Sequence, residues 1–377
     1  MPDRTHLLIA GGGPAALEAA LAIRRLAGDR FRITLLSSRE EFVYRPVAVA
    51  EPFGLLSPER FSLPRIAADL GLHLRLAVLA GVDADAHTVV CADGETLSYD
   101  VLLLALGARP GEAVPGALTF RGPQDSGRLR AALESLHTGV PLRVAFVAGP
   151  ETAWTLPLYE LALMAARWGA DHDLALEAWV VTYEHRPLSM FGEYAAASVS
   201  ELLNEAGVRL WTGAFAESVE NGRLWVSMEG GLPVDLAVTL PRPFGPAIRG
   251  LPNDAEGFVH ADEHGRVDGL DDVYACGDMT TRPIKQGGLA TQQADVAAAA
   301  IAAAAGAEVE AAAYKPVLRA MLLTGNRPRY LRHAPRDRGQ ATDEAPWWPP
   351  HKIAGRELAP YLTAHPELRL EPSNPTS

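Results

Sequence analysis

The chain has 377 residues, 48% of them hydrophobic and 21% charged, a balance suited to a soluble globular protein long enough for two domains and a tail. Its 34 lysines and arginines against 46 acidic residues leave a formal charge of −12, which argues against non-specific binding of nucleic acid. Two cysteines, Cys91 and Cys276, are too few for a disulfide framework or a metal cluster and suit a reducing compartment. The expectation is therefore a cytoplasmic protein without a metal. Met1 to His6 run into the first strand with no signal-peptide pattern.

Leu7-Leu8-Ile9-Ala10 reads as a buried parallel strand. Gly11-Gly12-Gly13-Pro14-Ala15-Ala16 ends it, and a helix with Leu17, Ala20, Leu21 and Ile23 on its apolar side follows at once. Strand, glycine turn and helix stand in the order a dinucleotide needs. Gly11 permits the tight turn, Gly13 lets a pyrophosphate approach the backbone, and Ala16 takes the third small position. The free N–H groups of the helix start then face the phosphates.

Residues 31–36, FRITLL, form a second strand, and Ser37 holds the end position that is usually acidic in such folds. A serine hydroxyl can bond a ribose hydroxyl but carries no charge. Glu40 and Glu41 are the alternatives, or plain loop charges. Phe42-Val43-Tyr44-Arg45-Pro46 is a loop suited to wall a flat cofactor through Arg45 and the aromatics, or simply to anchor itself. Residues 73–90 alternate like strands, and Cys91 precedes a turn as a small buried residue. A further buried strand, 99–104, ends in Ala105-Leu106-Gly107-Ala108, small residues that suggest backbone lying against a ligand. Residues 122–139 read as a linker and a connecting helix.

A second strand–turn–helix begins at 143–147, with Ala148-Gly149-Pro150-Glu151-Thr152-Ala153-Trp154 as its turn and a helix from about 158 to 168. The topology repeats but the glycines do not, and Glu151 is negative where phosphates would lie. Val208-Arg209-Leu210 and Leu224-Trp225-Val226 read as strands of a small sheet. The strand Val273-Tyr274-Ala275 runs into Cys276-Gly277-Asp278, where Gly277 allows close approach and Asp278 can accept bonds from hydroxyls. After Lys285, Gln286 opens a long alanine-rich helix whose run 297–305 is too short to cross a bilayer. Residues 314–377 form a tail rich in proline and arginine. Its strand-like pieces, the Trp347-Trp348-Pro349-Pro350 segment and a helix over 355–362 are expected to pack as an ordered cover.

Together these stretches resemble the flavoproteins with two dinucleotide-binding domains, the pyridine nucleotide-disulfide oxidoreductase superfamily, and most of all its sulfide:quinone oxidoreductase and type II NADH dehydrogenase branch. The resemblance covers roughly residues 5 to 330. It implies an α/β fold with two Rossmann-like domains: an FAD domain from 1–112 and 242–312, an inserted NAD-like domain at 113–241, and a covering segment at 313–377. It implies that Gly11, Gly13, Pro14, Ala15 and Ala16 hold the FAD pyrophosphate, that Ala105, Leu106 and Gly107 lie near the cofactor, and that Asp278 bonds the ribityl portion. The helix opening at Gln286 would aim its positive end at the flavin, with Lys285 close to the ring.

Two departures qualify this picture. No redox CxxC pair is present, and Cys276 sits inside the FAD motif, so a persulfide relay is poorly supported and no catalytic residue is assigned. The degraded glycine turn of the middle domain puts NAD(P)H binding in doubt. The expected activity is an FAD-dependent oxidoreductase passing two electrons from an unidentified donor to an acceptor such as a quinone, with no integral membrane insertion expected and peripheral contact left open. An NAD(P)H dehydrogenase with an atypical nucleotide loop and a non-catalytic flavin-binding docking protein are the alternatives.

Overall fold

The computed structural model describes residues 4–135, 142–227 and 230–371. The first three residues, the end of the expected 122–139 connection and the last six residues of the tail lie outside them.

The chain opens with strand β1 (Thr5–Ala10), helix α1 (Pro14–Ala27) and strand β2 (Phe31–Ser37). Strand β3 (His73–Leu76) and strand β4 (Val101–Leu104) follow on either side, all parallel. Leu7, Leu8, Ile9, Leu102, Leu103 and Leu104 are fully buried, which is why these strands read as continuous apolar runs and not as alternating ones. Pro14 starts α1, where its missing N–H costs nothing.

A second unit begins with strand β5 (Leu118–Thr119) and helix α2 (Pro123–Ser135). Strand β6 (Leu142–Val147), helix α3 (Leu156–Asp171), strand β7 (Leu176–Thr182), helix α4 (Glu193–Glu205), strand β8 (Arg209–Thr212) and strand β9 (Leu236–Thr239) complete it. They form a five-stranded parallel sheet in the order β5-β9-β6-β7-β8. Helix α3 starts two residues earlier than the sequence suggests, because Pro157 fits within its first turn. Residues 209–212 are the edge strand of this sheet, returned parallel to β7 by the α4 crossover. Leu224-Trp225-Val226 belongs to a separate three-stranded antiparallel sheet, so the expected pairing of these two stretches in one small sheet is corrected.

Strand β10 (Val273–Ala275) then returns to the first sheet, whose order becomes β10-β4-β1-β2-β3. Helix α5 (Gly287–Ala304) follows and packs along α1. Ala290, Ala294, Ala297 and Ala298 of α5 are buried in one cluster with Ala16, Ala19, Ala20 and Ile23 of α1, and these short side chains allow the two axes to lie close. The architecture is mixed α/β with two parallel sheets. Among the described residues, no helix is long and apolar enough to cross a membrane.

The tail is ordered over its described part. A three-stranded antiparallel sheet (318–342) leads into helix α6 (Leu358–Ala364). Pro349, Ile353, Leu358 and Leu362 are buried. Trp347 is half-buried, edge-on to Tyr330 with ring centroids 5.4 Å apart. Trp348, expected to be buried, is 84% exposed. The covering is done instead by the segment just after it.

Candidate functional site

Four strand ends of the first sheet converge on one cleft. Gly11 donates its N–H to Leu36 O (2.8 Å), Ala105 to Ala10 O (2.8 Å) and Cys276 to Leu104 O (2.9 Å), so β2, β1, β4 and β10 stop at one level. Gly11 has φ +140°, and a Cβ there would lie 2.3 Å from Ala105 O. Only glycine permits this approach. The cleft has a volume of 390 Å³ and opens outside the carboxyl ends of the strands, the usual position for ligands in such sheets.

Ten of the residues singled out in the sequence line it: Gly13, Pro14, Ala15, Ser37, Arg45, Ala105, Leu106, Gly107, Gly277 and Asp278. A Cβ built on Gly13 or Gly107 would meet nothing within 4 Å, so bare backbone faces the open space at both. The first turn of α1 contains no acidic residue, which leaves its N-terminal dipole free for an anion. Ser37 contributes its wall position, but its hydroxyl is taken up locally, donating to Arg39 O at 2.8 Å.

Asp278 is held in a less polar setting than water. Burial raises its carboxyl to about 6, against the pull of the Lys285 ammonium and the Gln286 N–H. Burial also pushes the Cys276 thiol up to about 12, so it stays protonated at neutral pH and is a poor nucleophile. Cys91 is buried outside this wall, in the core cluster beneath the far face of the first sheet.

Four of the sequence candidates do not line the cleft. Gly11 and Ala16 shape it from behind. Gln286 is the N-cap of α5: its Oε1 accepts from Leu289 N–H at 2.7 Å while its Nε2 donates to Arg319 O at 3.0 Å. The Lys285 ammonium donates to Thr280 O (2.5 Å) and Arg282 O (2.8 Å) and sits 3.9 Å from the centre of the Phe258 ring. Burial lowers its pKa to about 8.

The cleft also takes residues that the sequence did not reveal. Arg39 adds a second cation beside Arg45, and its position two residues past the β2 end was the available signal. Gly287 and Ala290 come from the start of α5. Ile353 comes from the tail, 76 residues past Gly277 in the chain, where the sequence marks an apolar contact of the cover but not a part of the cleft wall.

A second cleft, 410 Å³, lies at the end of β6 and is lined by 150–153, Tyr183, Arg242, Asp254, Glu256, Phe258 and 281–285. Glu151 is paired there with Arg242 at 3.3 Å, and Arg242 also meets Glu256 at 2.5 Å. The negative charge that seemed to oppose a phosphate is thus partly neutralised, and an arginine stands beside it. Glu184, just past β7, turns inward and accepts from Tyr159 OH at 2.7 Å.

Two parallel sheets, each carrying a strand–turn–helix unit, and a cleft built from four strand ends of the first define the class of two-sheet nucleotide-binding folds. The chain belongs to the pyridine nucleotide-disulphide oxidoreductase family, whose model matches residues 5–304. It is 27% identical over 299 residues to rhodocoxin reductase of Rhodococcus erythropolis, covering 74% of this chain and 65% of that protein. It is 29% identical over 224 residues to the NADH-dependent phenylglyoxylate dehydrogenase subunit epsilon of Aromatoleum evansii, covering 56% of this chain and 49% of that one. The chain thus spans about two thirds and about half the length of these two relatives. The solved sulfide:quinone oxidoreductase of Aquifex aeolicus shares the fold at a TM-score of 0.80, with 19% identity over 90% of this chain and 86% of that one. The resemblance drawn from the motifs is borne out. The doubt about nicotinamide nucleotides finds no support in a relative named as NADH-dependent.

Proposed function

We propose that this protein is an FAD-dependent oxidoreductase that takes two electrons from a donor and passes them to an acceptor such as a quinone. The observation that carries this is the convergence of four strand ends and the α1 N-terminus on one 390 Å³ cleft. Its residues suit the cofactor. Gly13, Pro14 and Ala15 offer bare backbone and a helix N-terminus to the pyrophosphate, with Arg39 and Arg45 as cations on the wall. Asp278 offers acceptor oxygens to ribityl hydroxyls. When bound, FAD supplies the two-electron chemistry. The chain's residues bind and orient it and exclude water. In this reading 1–112 with 242–312 serve the flavin, 113–241 form the inserted nucleotide-type domain and 313–377 cover the site, in a cytoplasmic protein.

NADH is the donor we favour. The second cleft ends at Lys285, in the same loop as the Asp278 motif, and a relative of this chain is named NADH-dependent; a phosphate there would draw Arg242 from Glu151 and Glu256. The test is to purify the protein, record its flavin spectrum, and mix it in stopped flow with NADH, NADPH and sulfide. Flavin bleaching by NADH at micromolar concentration supports this donor. A yellow protein bleached only by sulfide or by neither nucleotide removes it, and a colourless protein that takes up no added FAD removes the whole assignment.

A further inference from the structure

Residues 351–358 of the tail form a strap fixed at three points on three different elements. Ile353 N–H donates to Tyr44 OH at 2.7 Å, on the loop that walls the cleft. Glu357 and Leu358 N–H donate to the Glu18 carboxylate of α1 at 2.7 and 2.8 Å. The Lys352 ammonium reaches across to the second unit, 2.6 and 2.8 Å from the two carboxylate oxygens of Glu160 on α3. Glu160 is fully buried and also accepts from Leu323 N–H at 2.8 Å. Between the two kinds of anchor, the Ile353 side chain forms part of the cleft wall. It presses on the start of α5, where a Cβ on Gly287 would lie 2.9 Å from Ile353 Cδ1.

From this arrangement we propose that Lys352 and Ile353 form a latch: the buried Lys352–Glu160 pair ties the strap to the second unit and so holds Ile353 against the cofactor in the cleft of the first. Lys352 is a positioning residue and Ile353 the contact it positions. Lys352 and Ile353 are adjacent in the chain, so the pair acts directly on the residue that lines the cleft. The latch rests on the FAD reading of the cleft.

The experiment measures the rate of FAD release, by recovery of flavin fluorescence after dilution, together with the melting temperature of the FAD-free protein. Ile353→Ala should release FAD at least tenfold faster, and Ile353→Val should restore a rate close to that of the unaltered protein. The pair variant Glu160→Gln with Lys352→Met, which leaves no buried charge, should also speed release. Should that double variant fail to fold, Glu160→Gln alone takes its place, since the Ile353 variants leave the pair intact. Release from the pair variant within twofold of the unaltered protein, with the melting temperature alone affected, overturns the latch while leaving the FAD reading intact. Failure of the unaltered protein to bind FAD overturns both, and the two failures are told apart by colour.

Discussion

Glu18 on α1 accepts the Leu358 N–H of the strap on one carboxylate oxygen at 2.8 Å and the Glu357 N–H on the other at 2.7 Å. The half-buried Asp295 carboxyl of α5 lies within reach of the Glu18 charge, which adds to burial in raising its pKa.

The consequence is a pH dependence of stability. Burial first, then the negative charges of Glu18 and Glu357, push Asp295 from its ordinary 3.8 up to about 8. The folded protein therefore holds a proton that the unfolded chain gives up, and stability falls as pH rises from about 4, with the loss complete above about 8. Asp295→Asn keeps the size of the side chain and removes the titrating carboxyl. Its stability curve should be flatter over that range, so the two proteins diverge as pH rises. Urea titrations at pH 5, 6, 7 and 8 check this, and parallel curves would refute it.

Asp278→Ala should weaken FAD binding. It removes acceptor oxygens from the cleft wall, and a lost buried hydrogen bond costs about 1–3 kcal/mol, or roughly 5- to 150-fold in affinity. Isothermal titration of apoprotein with FAD gives the comparison. Unchanged affinity would move the ribityl group away from this residue.

Lys285→Met should lower the melting temperature, since its ammonium ties together the 280–286 loop through Thr280 O and Arg282 O. Its ammonium is bonded to those carbonyls and packed on Phe258, and its charge acts next on Asp278. The flavin potential should therefore move by less than about 30 mV, the equivalent of ~1.4 kcal/mol in a two-electron couple. A larger shift in a spectroelectrochemical titration would show that the cation acts directly on the ring.

Lys352→Met alone should destabilise the protein by about 3–5 kcal/mol, because it strands the buried Glu160 carboxylate. Adding Glu160→Gln should recover most of that loss. Trp348→Ser, by contrast, should change stability by no more than about 0.5 kcal/mol, since the indole is in solvent. Chemical denaturation of the four proteins measures both statements. A single variant no worse than the double would mean the pair is not buried in solution.

Local chemistry was enough to reveal the frame of the cleft. A strand that runs apolar from Leu7 to Ala10 and stops at glycines has few other uses, and Gly277-Asp278 after a third buried strand repeats the message. Those residues carry their meaning because backbone conformation and burial are short-range properties, written within about ten residues. What depended on long-range contact was not legible there. Ser37 was marked for a ribose, yet its hydroxyl turns to Arg39 O. Gln286 and Lys285 stood beside the right motif, but a helix cap and two loop carbonyls claim their side chains. Glu151 looked repulsive until Arg242, 91 residues on, came to lie 3.3 Å from it. Of the expected cover, Trp348 stays in solvent while Ile353 and Leu358 pack, and Lys352 joins them. A tail finds its place only by pairing buried charges and filling gaps left by two separate sheets, and neither the gaps nor the partners exist until the chain has folded.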